Sequence, residues 1–423
     1  MNTFFTKVRL LFEDTSLRWR IFTTLGILAL FRLGAAVPIP NVDVLALERF
    51  FSDNQFFGLL NIFSGGGLSN LSIMMLGVGP FITGSIIMQL LTLIFPQFKE
   101  MYQEEGEAGR RKMAQYSRLL AVPLAAVQGF SLLVLLSRQG ILLPQSLFEQ
   151  LVGIVVVVTG SIVLMWLGEL ISEYGVGNGV SLLIFAGIVS RLPSDIFQLY
   201  TNFEVSQVPL YLAFVVVAVV IVAAVVVITE AERPIPITYA KQVRGNRVYG
   251  GISTYLPIRL NNAGVMPIIF ALSILLFPQM IANFMAQSSV AILQMISGFI
   301  LPLFSNSWLY GAVYTILVFV FTYFYSAVTF DPQMISTNLQ KSGAFIPGVR
   351  PGQPTTAHLG TIVSRLTLVG AFFLAVVALL PLVMQGVTGM AALAIGGTSL
   401  LIVVSVILEL VKQLSAQLSM REY

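Results

Sequence analysis

Few residues in this chain are of the types that do chemistry. It has one histidine, His358, and no cysteine in 423 residues. Disulfides, iron–sulfur clusters and thiolate nucleophiles are thereby excluded, and a histidine-based metal site has almost no ligands to draw on. The acidic residues are equally telling. The long apolar stretches hold no Asp or Glu near their middles; Glu169 and Glu409 lie close to stretch ends. Ion-coupled transport and metal-dependent intramembrane hydrolysis both draw on side chains of that kind at depth. No serine is accompanied by a buried base. Gly175-Val-Gly177-Asn-Gly179 invites a phosphate-loop reading, but it lacks the Lys-Ser/Thr that should follow and no β-strand precedes it. It reads as a tight turn between two apolar stretches. The expectation is a protein that is not an enzyme, with no catalytic residues, no metal and no cofactor.

What remains is an aliphatic pattern. Val78, Ile82 and Ile86 recur every four residues, which places them on one helix face. Thr83, Ser85 and Gln89 fall on other faces, positioned to hydrogen-bond to a neighbouring helix. The stripe fits two readings: ordinary packing or lipid contact, or a narrow hydrophobic constriction if it lines a pore. It belongs to the stretch Phe57–Pro96, FGLLNIFSGGGLSNLSIMMLGVGPFITGSIIMQLLTLIFP. The first half is broken by Gly65, Gly66 and Gly67, and the second, from about Ser72 to Phe95, is long enough to cross a bilayer. Irregular backbone at membrane depth survives where it is buried in protein or lines a water-filled cavity. The stretch therefore predicts a cavity with a short mobile element in it.

The elements that must position these residues are membrane spans. The chain is 57% hydrophobic and 10% charged, with a mean hydropathy of +0.89, against roughly 25% charged in a soluble domain. Ten spans are predicted, near 21–38, 72–95, 116–137, 151–171, 180–194, 208–229, 263–283, 307–328, 362–384 and 390–411, the fifth ending at Arg191-Leu-Pro193. The fold class is an all-α polytopic membrane protein of ten transmembrane helices in two inverted five-helix halves around a central pore. Residues 1–20 form an N-terminal segment, 21–200 the first half, 201–412 the second, and 413–423 a short tail. The first apolar run is one of many and is not a cleaved signal peptide.

Basic residues orient the spans. Lys7, Arg9, Arg18 and Arg20 precede the first, and Lys99, Arg110, Arg111, Lys112 and Arg118 follow the second. Arg233, Lys241, Arg244, Arg247 and Arg259 follow the sixth; Lys341, Arg350 and Arg365 follow the eighth; Lys412 and Arg421 close the chain. The opposite side holds Arg49, Arg138 and Arg191, and Arg32 lies within span one. Both termini are therefore expected in the cytoplasm. Arg32 either snorkels to an interface or pairs across the bundle, and a structural role is favoured. The basic loops 230–262 and 329–361 are too long for simple connectors; they fix topology, or they form a docking face for a large cytoplasmic partner, and their length and paired arginines favour docking. Gly77-Val-Gly-Pro80-Phe-Ile82 in span two is similar to Gly264-Val-Met-Pro267-Ile-Ile269 in span seven. With five spans per half the halves are inverted, which places a functional path between them.

At Met165–Phe185, MWLGELISEYGVGNGVSLLIF, the chain resembles the SecY/Sec61α family, the pore-forming subunits of protein translocons. So do NIFSGGGLS through GVGPFITGSIIMQLL, Thr238-Tyr-Ala-Lys241, Asn262-Ala-Gly-Val-Met-Pro267, Ser342-Gly-Ala-Phe-Ile-Pro-Gly-Val-Arg350-Pro-Gly352 and Gly396-Gly-Thr-Ser-Leu-Leu-Ile402. The resemblance runs over nearly the whole chain in order. It implies a plug at Leu59 to Asn70, including Leu59, Asn61, Phe63, Ser64, Gly65, Gly66 and Leu68, and a pore ring of Val78, Ile82, Ile86, Ile184, Ile188, Ile269 and Ile402. It implies a lateral gate between spans two and seven. It assigns Arg350, and Arg244 and Arg247 in the preceding basic loop, to docking of the motor ATPase SecA or the ribosome. Val78 stands where isoleucine is common, Arg233-Pro234 where two arginines are frequent, and the plug ends Ser-Asn rather than Ser-Arg.

The implied function is passage of unfolded secretory polypeptides through the ring and release of apolar segments to lipid through the gate, in a bacterial inner membrane. Implied partners are SecE, SecG, SecA and the ribosome, with signal peptides and nascent chains as substrate and no direct nucleic-acid specificity. The other class in view is a secondary transporter of small molecules with inverted repeats, which the missing intramembrane carboxylates disfavour. A third is a structural scaffold with no conductance even after the plug is deleted. Deletion of Leu59–Asn70 is expected to leave the fold intact and the pore leaking.

Overall fold

A computed structural model describes residues 14–40, 64–68, 70–103, 105–143, 146–201, 208–240, 242–244, 247–249, 251, 253–286, 290–388 and 391–419. Ten helices stand where spans were predicted: α1 (Thr15–Ala35), α2 (Gly79–Ile94), α4 (Gly106–Arg138), α5 (Leu147–Tyr174), α6 (Gly179–Thr201), α7 (Val208–Glu230), α8 (Met266–Ala286), α10 (Ser307–Thr329), α12 (Gln353–Thr388) and α13 (Ala391–Ser419). Between them lie α3 (Pro96–Gln103), α9 (Ala291–Ser305) and α11 (Pro332–Lys341). Six described helical stretches are long and apolar enough to cross a bilayer, and the bent pair α2–α3 is a seventh candidate. Exposed apolar side chains cover the outside, among them Trp19 and Leu33 on α1, Val215, Val219 and Val220 on α7, and Phe372 on α12. In water such a surface would be a liability; against lipid it is the solvated face, and the chain is a multi-pass membrane protein.

Local chemistry explains several boundaries. The second span was expected to begin near Ser72, yet residues 73–78 are turns and helix starts at Gly79. Gly77 lies at φ 61°, in the left-handed region, and Pro80 takes the second helical position, where its missing N–H costs nothing. Gly264 also lies at φ 61°, with Pro267 second in α8. The weak sequence repeat thus has one local shape in both copies. α2 stops at Phe95, held extended at ψ 118° by the following proline, and α3 departs at 110°. The fifth span runs through Pro193 to Thr201, past its expected end; a proline is tolerated where neighbouring groups re-satisfy the freed backbone.

The first half packs α2 on α4, α4 on α5, α5 on α6 and α1 on α5; the second packs α8 on α10, α10 on α12, α12 on α13 and α7 on α13. The halves meet along two seams, α8 against α2 and α4, and α13 against α6. One large apolar cluster fills the space between them.

The two long basic loops, read separately in the sequence, are one structure. β1 (Glu232–Tyr239) pairs antiparallel with β4 (Ser253–Arg259) and, at Thr238 and Tyr239, with β5 (Ala344–Phe345) of the second loop. Ile235 and Ile237 point inward along β1, alternating with exposed neighbours. Pro234 and Pro236 lie where β1 has β4 on one side alone, so no ladder bond is lost to their missing N–H. Beneath the sheet, Ile235, Ile258, Ile346, Leu359 and Ile362 form their own core, which ties both loops to the start of α12. The all-helical expectation omitted this sheet.

Candidate pore and its closure

The residues singled out as a ring come from four helices and both halves. Ile82 and Ile86 lie on α2, Ile184 and Ile188 on α6, Ile269 on α8 and Ile402 on α13. Val78 precedes α2, and its carbonyl accepts from the Ile82 N–H at 3.0 Å, which keeps it one turn below Ile82. All seven are buried and belong to the same apolar cluster. They present methyl and methylene groups and no hydrogen-bonding atom, a surface suited to excluding water and ions and unable to recognise a specific ligand.

The polar residues of α2 do not reach across as expected. Thr83 Oγ1 donates to the Gly79 carbonyl at 3.0 Å, and Gln89 Nε2 donates to Ser85 Oγ at 3.3 Å, both one turn back on the same helix. In an apolar environment the nearest backbone or side-chain acceptor wins. A polar tie to a neighbouring helix comes instead at the turn before α2, where Ser161 Oγ on α5 donates to the Gly77 carbonyl at 2.9 Å. A lone serine in a valine-rich span gave no sign of that partner, which lies 84 residues away.

Of the glycine-rich element, Leu59, Asn61 and Phe63 lie outside the described residues. Ser64, Gly65, Gly66 and Leu68 are described, and they divide. Ser64 is buried and its Oγ accepts from the Leu68 N–H at 3.0 Å. Gly65 and Gly66 have φ of 63° and 84°. Leu68 and Leu71 are fully buried in a second cluster with Met75, Leu132, Leu136 and Val157 of the α4–α5 region. The chain beyond is tied to the end of α1: the Ile39 N–H donates to the Leu71 carbonyl at 2.8 Å and the Ile73 N–H to the Val37 carbonyl at 3.0 Å. The proposed plug therefore ends in an anchored base, and a deletion through Asn70 removes a core residue. Leu68→Ala is expected to cost about 2–5 kcal/mol of stability, measured as a lower unfolding midpoint in detergent. An unchanged midpoint would show that the base is not part of the core.

Arg32 is exposed in the last turn of α1, and among the described residues it joins no ion pair. Its Nη1 donates to the Gly65 carbonyl at 2.9 Å, and the guanidinium stands 5.9 Å from the Phe31 ring centroid. Glu169, near the end of α5, pairs with Arg118 of α4 at 2.5 Å. The Gly175–Gly179 turn spends its amides internally: Val176 N–H donates to Thr24 Oγ1 and Gly179 N–H to Ser172 Oγ. Among the described residues no group of three His, Asp or Glu gathers as a metal site would require.

Of the three arginines expected to dock a partner, Arg350 is exposed in the turn between β5 and α12, and its carbonyl accepts from Thr355 Oγ1 at 2.8 Å. Arg244 and Arg247 face each other in register at the tip of the β2 (Gln242–Arg244) and β3 (Arg247–Tyr249) hairpin. All three extend from the loops that share the sheet.

The chain matches the SecY family over residues 72–411. It is 40% identical to the protein translocase subunit SecY of Corynebacterium glutamicum, covering 97% of each chain. It is 44% identical to the protein of the same description from Thermus thermophilus, over 96% of this chain and 94% of that one. A solved structure described as a protein-conducting channel superposes with a TM-score of 0.64 at 18% identity, covering 95% of this chain and 93% of the other.

Proposed function

The chain belongs to the SecY family, and from that premise we propose that it is the central, channel-forming subunit of a protein translocon. Unfolded secretory polypeptides pass between its halves through the ring of Val78, Ile82, Ile86, Ile184, Ile188, Ile269 and Ile402. Apolar segments leave sideways into lipid where α8 meets α2 and α4. The observation that carries this reading is the gathering of seven aliphatic residues from both halves into one apolar cluster.

A polypeptide in transit offers side chains of every kind, so its conduit cannot hold a specific binding site. An aliphatic ring closes around any chain without gripping it, and without one it dewets and stops ions. Partitioning does the sorting at the gate: burial of apolar surface contributes about 25 cal/mol per Å2, so a sufficiently apolar segment moves to lipid and a polar one continues. The glycine element at 59–66 is the second closure. The channel has no energy source of its own, so transport is driven by SecA or a translating ribosome, docked on the sheet-bearing platform through Arg244, Arg247 and Arg350. SecE and SecG complete the assembly, in a bacterial inner membrane with both termini in the cytoplasm.

The test places a photoreactive residue at Ile82 and at Ile188 and stalls a secretory polypeptide during export. Crosslinks from both positions to the stalled chain are expected. Crosslinks to lipid or neighbouring helices alone would mean that the cluster is ordinary packing.

A further inference from the structure

Between Arg259 and Asp331 the chain carries no charged residue. The interval holds α8, α10 and the connection between them, which includes α9. α8 begins just after β4, and α10 ends just before α11 and β5. α9 therefore stands at the end of the bundle far from the sheet. A connection that faces water normally carries charge; this one has the composition of the spans it joins. At 15 residues α9 is too short to cross a bilayer.

α9 presents one free apolar arc. At about 100° per residue, Ile292, Met295, Ile296, Phe299 and Leu303 fall within about 100° of one another, and all five are exposed, Phe299 at 77%. The opposite arc is occupied. Ser297 is buried, Phe304 packs against the large cluster, and α9 rests on α8 and α10. Polar groups are satisfied locally. The Leu293 and Gln294 N–H groups donate to the Val290 carbonyl at 3.1 and 3.2 Å, and Ser297 Oγ donates to the Gln294 carbonyl at 2.8 Å. At the break before α10 the Asn306 N–H donates to the Pro302 carbonyl at 3.3 Å, while Asn306 Oδ1 accepts from the Trp308 and Leu309 N–H groups at 3.1 and 3.4 Å. A break in the backbone near hydrocarbon must be satisfied internally in this way. Trp308 is exposed beside it, as aromatic residues are at a membrane–water boundary.

We propose that α9 is a membrane-interface helix, with its exposed arc buried about 5–10 Å into the headgroup–acyl boundary of the leaflet far from the sheet. The occupant of the arc is lipid. None of its five side chains has a charged or hydrogen-bonding group that could set the register of a protein partner, and hydrocarbon needs none. An isolated interfacial helix shows water a charged face; α9 replaces that face by its contact with α8. As α8 also lines the seam between the halves, lipid held by α9 ties one wall of that seam to the bilayer.

The chain has no cysteine, so a single fluorophore can be attached at Phe299→Cys, at Val219→Cys on the exposed face of α7, or at Lys341→Cys beside the sheet. All three side chains are exposed, so the fold does not depend on them. The full chain, purified with the subunits that accompany it, is reconstituted in phosphatidylcholine–phosphatidylglycerol vesicles. Phosphatidylcholine bearing a nitroxide on the upper acyl chain is expected to quench Phe299→Cys at least as strongly as Val219→Cys. Iodide in the water should quench it about tenfold less than Lys341→Cys. Iodide quenching equal to that of Lys341→Cys would place the arc in water and overturn the proposal. Protection from both quenchers would mean that protein, a second copy or another subunit, covers the arc, and would overturn it equally.

Discussion

Changing Ile82 and Ile188 together to asparagine is expected to open the resting channel to ions. The two side chains sit on α2 and α6, both buried in the cluster that fills the space between the halves. Keeping a constriction dry depends on the free-energy cost of wetting its walls. Each isoleucine contributes about 2 kcal/mol to that cost, so the pair contributes about 4 kcal/mol, about a thousandfold in the weight of the wet state. Other barriers along the path lower how much of this reaches the conductance, and a rise of at least about tenfold is expected in bilayer recordings. The double change to methionine, which keeps the surface apolar, should remain sealed. If the asparagine pair is as tight as the native chain, these residues are packing and do not form the barrier.

Arg350→Glu is expected to separate the two modes of transport. Arg350 is exposed on the platform, and its contact to Thr355 uses the main-chain carbonyl, so the substitution leaves the local fold in place. Reversing the charge replaces attraction by repulsion at an interface where electrostatic complementarity governs encounter and register. SecA-driven export in vesicles should fall about tenfold or more, whereas insertion coupled to a translating ribosome should change by about twofold or less. Equal loss in both assays would identify a folding defect instead.

The sequence displayed what depends on long, local patterns. Ten helices stand at the predicted spans because runs of twenty apolar residues have no other stable arrangement in lipid, and the repeat at Gly77 and Gly264 marked two helix starts that share φ 61°. It hid what depends on contacts between distant segments. Ile235 and Ile237 alternate as a strand should, but two prolines interrupt the pattern, and their partners Leu256 and Thr254 lie in another segment. Helix α9 was missed because Gly298 and Pro302 break an apolar run too short to span a bilayer. Leu68 looked like part of a mobile element, and its burial against Leu132 and Leu136 came to light with the folded chain. Arg32 was recognised as structural, but its acceptor is a carbonyl 33 residues on, and carbonyls carry no sequence signature.

The ladder joining residues 37–39 to 71–73 makes the stretch between them a loop with both ends pinned to one another. Whatever path that stretch takes, its net end-to-end extension is fixed, so a force that lifts its middle is resisted at the clasp and is not passed as tension into α1 or α2. Its length is also nearly neutral: doubling a flexible loop adds only about 0.6 kcal/mol to its closure entropy. A loop clasped in this way can lengthen or shorten over evolutionary time while the two segments that clasp it keep their register.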